Sequence, residues 1–118
     1  MSIYENLRKL NIKIPKAPDP VGSYVAYKKT SNLLFISGQI SIDANGNITK
    51  GKLGKELSIE QGKAAAKLCA INIIAQAKKA CDEKLETIKN CIKLTGYVNS
   101  TNDFNDQPKV INGASEII

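Results

Sequence analysis

Leu33-Leu34-Phe35-Ile36-Ser37-Gly38-Gln39-Ile40-Ser41-Ile42 is the stretch on which the fold turns. Its apolar residues run without helical spacing. Gly38 interrupts them, as glycine does in strands at a bulge or where something must approach the backbone closely. Immediately upstream, Gly22-Ser23-Tyr24-Val25 has the make-up of a second short strand, and Lys28 to Asn32 supplies a hairpin connection between the two. Downstream, Asp43-Ala44-Asn45-Gly46-Asn47 reads as a turn in which Asn45-Gly46 adopts positive φ cheaply, with Ile48-Thr49-Lys50 a brief strand and Gly51 to Leu57 a polar loop.

Helical periodicity appears on either side of this region. Ser58 and Gln61 form a capping-box pattern that opens a helix from about Ile59 to about Asp82. Ala64, Leu68, Ile71 and Ala75, extended by Ile74, Ala77 and Cys81, give it an apolar face, with Lys67, Gln76, Lys78 and Lys79 outward. Ser2 and Glu5 repeat the capping pattern ahead of a short helix with Ile3, Leu7 and Leu10 on one face, ended by Pro15. The three prolines between Ile14 and Pro20 predict an extended linker. Ile88 to Val98 alternates with period two, as a half-buried strand does, and Asn99 to Asn105 is a loop. A last helix starts near Pro108 with Val110, Ile111, Ala114, Ile117 and Ile118 on one face. The order predicts an α+β domain, a sheet backed by two helices. Two helices need a sheet wider than these strands provide, so the final strands are expected to be missing or supplied by a partner.

A chain of 118 residues, 42% hydrophobic, is expected to form one domain over residues 1–118. It holds no apolar run of membrane-spanning length, and Met1 to Leu10 is too polar for a signal peptide, which predicts a cytoplasmic protein. Cys69, Cys81 and Cys91 are widely spaced and odd in number, suiting neither a disulfide framework nor a zinc site. The absence of histidine excludes Ser-His-Asp chemistry, Cys-His nucleophiles and His-based metal hydrolysis. The net charge of +6 comes from lysines scattered from Lys9 to Lys109, at most in adjacent pairs such as Lys28-Lys29 and Lys78-Lys79, a pattern of solvated surface rather than a nucleic-acid face.

Pro20 to Val25, Asn32 to Gln39 with its Ser-Gly-Gln, Thr95 to Asn99, and Val110-Ile111-Asn112-Gly113-Ala114-Ser115 together resemble, in order and spacing, the Rid family of YjgF-like enamine/imine deaminases. The likeness runs from about Tyr4 to Ile118 and is nearest the longer subgroup with an extra amino-terminal helix. It implies a chorismate-mutase-like mixed sheet backed by two helices, and a homotrimer with sites between subunits. It also implies hydrolysis of 2-aminoacrylate-type enamines and imines to 2-keto acids and ammonia, with no cofactor or metal. By motif position, Tyr24 would line the pocket, Ser37 and Gly38 would form its strand wall, and Asn112 would project toward it from the second helix.

The chemistry suits a chain without histidine. An imine is already electrophilic, so orientation, a positioned water and assisted proton transfer suffice. The resemblance further implies an arginine gripping the substrate carboxylate on a strand after the second helix, and a glutamate on the last strand placing water. Neither has a counterpart here, and the only arginine is Arg8 in the first helix. The expectation is therefore a deaminase-derived protein impaired by loss of its carboxy-terminal strands. The alternatives are a non-catalytic module binding a small metabolite or protein, and, less in keeping with the scattered lysines, an RNA-cleaving protein.

Overall fold

The computed structural model describes residues 2–118. The chain forms α1 (Ile3–Lys9), β1 (Tyr27–Thr30), β2 (Leu33–Ile36), α2 (Ile59–Ala80) and α3 (Gln107–Ser115), with a 3-10 turn at Leu85–Thr87 between the last two. Its packing divides it into two compact units, Met1–Gln39 with Ile71–Asn90, and Ile40–Ala70 with Cys91–Ile118.

In the first unit, α1 begins as its sequence requires, with the Glu5 amide donating to Ser2 Oγ at 3.1 Å. It stops well before Pro15. Asn11 takes φ 56°, its amide bonds Arg8 O, and the Ile12 amide bonds Leu7 O, which closes the helix with a left-handed residue at its end. The stretch to Pro20 is then irregular, as its prolines predict.

The hairpin lies later than expected. Residues 21–24 form a bend, not a strand, and the ladder pairs Tyr27 with Ile36, Lys28 with Phe35, Lys29 with Leu34 and Thr30 with Leu33. Lys28 to Thr30 are therefore strand, and the connection shrinks to Ser31-Asn32, with Ser31 at φ 54°. β2 ends at Ile36 rather than Ile42: the Ser37 amide still bonds Ala26 O, but among the described residues the ladder stops at the Tyr27–Ile36 pair. Lys29 Nζ donates to Ala80 O at 2.8 Å, tying the hairpin to the last turn of α2. Leu33 and Phe35, on the opposite face of β2, stay exposed.

The core of this unit is made of small residues, Ala17, Ala75, Ala77 and Ala80, with Leu85 the one large aliphatic side chain among those fully covered. Gln76 corrects the sequence reading. It is 1% exposed, not outward, because its Nε2 reaches across to Pro18 O at 2.7 Å. Its Oε1 has no protein partner. α2 ends at Ala80 with the Asp82 amide bonding Lys79 O and the Glu83 amide bonding Lys78 O, Asp82 and Glu83 both taking positive φ.

The second unit contains the start of α2, where the expected capping box is complete. The Ser58 amide donates to Gln61 Oε1 at 2.8 Å and the Gln61 amide to Ser58 Oγ at 3.2 Å. Ala64, assigned above to the apolar face, is exposed. In the Asp43–Asn47 turn Gly46 takes φ 84°, and Ile48 makes only an isolated bridge with Ile42 in place of a strand.

Leu53, in the loop read as polar, is 5% exposed and forms a parallel bridge with Ser100, its amide bonding Asn99 O and its carbonyl accepting from the Thr101 amide. Ile88 to Val98 is not a strand. No ladder among the described residues pairs with it, Ile92 and Tyr97 are 79% and 94% exposed, and pairing begins only at Ser100. A period-two pattern fixes which side chains share a face but supplies no neighbour to bond.

α3 packs Val110 and Ala114 inward. Gly113 meets α2 so closely that a Cβ there would lie 2.9 Å from both the carbonyl carbon and Cα of Lys63, and nearer still to its carbonyl oxygen. The helix ends at Ser115, so Ile117 and Ile118 follow it rather than completing its stripe.

Candidate functional site

The residues singled out in the sequence fall into two groups. Tyr24, Ser37 and Gly38 belong to the first unit and Asn112 to the second. Ser37 follows β2 directly, outside any strand. Its amide donates to Ala26 O at 2.9 Å and its hydroxyl to Val25 O at 2.5 Å, so both its donors are committed to the chain beside Tyr24. A hydroxyl whose proton rests on an amide carbonyl, with no base beside it, is a brace and not a nucleophile. Gln39 Nε2 donates to Ser37 O at 3.0 Å and completes the brace.

Gly38 is not at a bulge, since no ladder runs through it, and its φ is not positive. Its significance is steric. Nothing lies within 4 Å of where a Cβ would stand, so the peptide groups flanking it can be approached from that side. Tyr24 is 47% exposed, and its ring folds back over Gly22, where a Cβ would be 3.1 Å from Cε1. An exposed phenol, a braced serine and bare backbone thus lie in one stretch of surface chain, able to offer neutral hydrogen bonds but no charge. Asn112 is exposed midway along α3, its carbonyl accepting from the Glu116 amide at 2.9 Å.

Among the described residues, no group of three or more His, Cys, Asp or Glu side chains converges as a metal would require. Burial pushes the Cys69 thiol up from its ordinary pKa, which keeps it protonated and unreactive. No helix of the described chain is long and apolar enough to cross a membrane.

What the sequence did not single out is a pair of neighbouring half-open hollows, each of about 370 Å³, where α1, the 12–17 segment and the end of α2 meet. One is lined by Tyr4, Leu7, Arg8, Ile12, Lys13 and Leu85, among others; the second has Lys16, Ala75, Lys79 and Glu83; Ile14 and Lys78 border both. The signal was there in part: Tyr4 and Arg8 stand four residues apart on α1, and so share a face.

Beside them, Tyr4 Oη donates to Glu86 Oε2 at 2.6 Å, lies 3.2 Å from Glu83 O, and accepts from the Leu85 amide at 3.1 Å. The bond to Glu86 raises the phenol's pKa and lowers that of the Glu86 carboxyl. Lys78 Nζ lies 3.5 Å from Glu83 Oε2.

With this geometry in place, comparison with known proteins settles the kinship. Residues 6–118 match the family described as "YjgF/chorismate mutase-like, putative endoribonuclease", and the chain belongs to that family, whose α+β fold it has. Protein TCP17 of Trypanosoma cruzi is 38% identical over 113 residues, covering 96% of this chain and 70% of that protein. A RutC family protein of Pyrococcus abyssi is 33% identical over 90 residues, which is 75% of this chain and 61% of the relative's own length. A crystal structure from Shewanella oneidensis, described as "a putative endoribonuclease", superposes with a TM-score of 0.92 at 30% identity, over 99% of this chain and 77% of that one.

Proposed function

We propose that this protein acts on 2-imino acids or their enamine tautomers, hydrolysing the C=N bond to give a 2-keto acid and ammonia. The observation that carries the reading is the bare approach to Gly38, flanked by a serine held in place by Val25 and Ala26. Rigid backbone donors and acceptors orient a small planar substrate at little entropic cost, and water adds to a carbon that is already electrophilic. RNA cleavage fits less well with lysines scattered from Lys9 to Lys109 rather than gathered to hold phosphates.

Tyr24, 47% exposed, would bound the substrate on one side. Self-association belongs to the same reading. Val25 and Phe35 are 63% and 59% exposed beside the candidate wall, an apolar surface suited to a second copy in a trimer with sites between subunits.

The test generates 2-iminopropanoate in situ with an amino-acid oxidase and follows keto-acid formation against a semicarbazide trap. The protein should raise hydrolysis above the buffer rate, and Gly38→Val, which fills the approach, should reduce kcat/KM by about tenfold or more. Hydrolysis at the buffer rate, or an unimpaired Gly38→Val protein, refutes the proposal. Size-exclusion chromatography with light scattering tests the trimer separately.

A further inference from the structure

The hollow between α1 and the end of α2 has a composition that the proposed hairpin site lacks. Its walls are apolar and half-buried, from Leu7, Ile12, Ile14 and the fully covered Leu85, while Arg8, Lys13 and Lys78 edge it. No acidic side chain is part of that lining. Of the carboxylates close by in the chain, Glu83 pairs with Lys78 and Glu86 with Tyr4, while the exposed Glu5, beside Tyr4 on α1, is not part of the lining. Arg8 and Lys13 make no ion pair or side-chain hydrogen bond among the described residues. The Tyr4 hydroxyl, facing Glu86 and the Leu85 amide, has no hydrogen left to offer.

We infer that this hollow is a binding site for a small organic anion with an apolar body, an aryl or aliphatic carboxylate or phosphate monoester, separate from the hairpin surface. Two unpaired cations above an apolar floor reward charge and hydrocarbon together and reward neither alone. An inorganic anion would leave Leu7, Ile12 and Ile14 wet, and a neutral hydrocarbon would leave the cations unanswered. The volume of about 370 Å³ lies at the lower end of small-molecule sites, which favours a soluble ligand over a membrane surface. The proposal does not depend on imine hydrolysis, since none of the residues it uses belongs to that surface.

The probe is 2-naphthoate, titrated by calorimetry and by amide chemical shifts, with 2-naphthalenemethanol as its neutral counterpart and inorganic phosphate as the charge alone. One 2-naphthoate should bind per chain, shifting the amides of Leu7, Ile12 and Leu85, with the neutral compound and phosphate each weaker by about tenfold or more. The double variant Arg8→Gln/Lys13→Gln, whose side chains are exposed and unpaired, should weaken 2-naphthoate by about tenfold, while Lys50→Gln/Lys55→Gln changes nothing.

Equal binding of the neutral compound overturns the inference, as does unchanged affinity in the Arg8/Lys13 variant or a shift pattern centred on Phe35. Sedimentation with anionic phosphatidylserine vesicles in the absence of 2-naphthoate binding also overturns it, assigning the charge to a membrane surface instead. Because imine hydrolysis is assayed on a different surface, failure of either proposal leaves the other standing.

Discussion

Substituting Gly113 by alanine tests the contact on which the second unit depends. At an unobstructed position within a helix the change would stabilise by about 1 kcal/mol, because alanine loses less backbone freedom on folding. Here the new methyl would enter the backbone of Lys63, meeting its carbonyl carbon and Cα at 2.9 Å and its oxygen closer still. Backbone cannot rotate away as a side chain does, so α3 must lift off α2, partly uncovering Val110 and Ala114. Overpacking of this kind costs about 3 kcal/mol at the upper end of the usual range, leaving a net loss of about 2 kcal/mol, or roughly 8 °C in Tm for a chain of this size.

Gly62→Ala is the internal comparison. Its methyl would meet Leu53 Cδ1 at 2.7 Å, the end of a side chain that can turn, so the net loss should stay under about 1 kcal/mol. Urea and thermal unfolding followed by circular dichroism measure both. A Gly113→Ala protein that melts at or above the parent temperature would show that α2 and α3 do not approach as described.

Two further perturbations have definite signs. Gln76→Met removes the bond to Pro18 O and the unpartnered Oε1 together; these oppose each other, so stability should change by less than about 1 kcal/mol. Gln76→Glu places a carboxylate in the same buried position, where it cannot donate to Pro18 O while ionised. It should cost about 3 kcal/mol or more at neutral pH and recover in acid as the carboxyl protonates, and a flat pH profile in urea unfolding would contradict this. The Asp43 carboxylate accepts from the amides of Asn47 and Asn45, both at 2.9 Å, and these bonds hold its pKa below the ordinary 3.8. Their contribution is therefore present above 3.8 and lost as pH falls through the lowered value. An amide-shift titration of Asn45 and Asn47 should find the transition below 3.8, and Asp43→Asn should abolish it.

Local signals in this sequence carried through where the chain itself supplies both partners of an interaction. The Ser58–Gln61 box is complete, the Glu5 amide donates to Ser2 Oγ, and the Asn45-Gly46 turn forms with positive φ at Gly46 and not at Asn45, all between residues within three or four positions of each other. Misreadings came where the partner is remote. Gln76 looks like a surface residue until Pro18 O arrives to accept from it, and the alternation of Ile88 to Val98 describes a strand that finds no ladder. Gly22-Ser23-Tyr24-Val25 has the make-up of a strand, yet the Tyr24 ring folds back over Gly22 and the chain bends instead. The candidate wall was legible as Ser37 and Gly38, but the hollow near Arg8 was not, since its lining comes from separate segments joined only by folding.

Leu53 has a kinetic implication. Its two backbone bonds reach Asn99 and Thr101, with all of α2 intervening in sequence, while its side chain fills the space left by Gly62. Such a closure happens only after the intervening polymer has been brought to order, since the entropy of closing a long flexible loop is otherwise unrewarded. Conservative truncation of Leu53 should therefore accelerate unraveling far more than it retards assembly, marking this residue as a late latch rather than a nucleus.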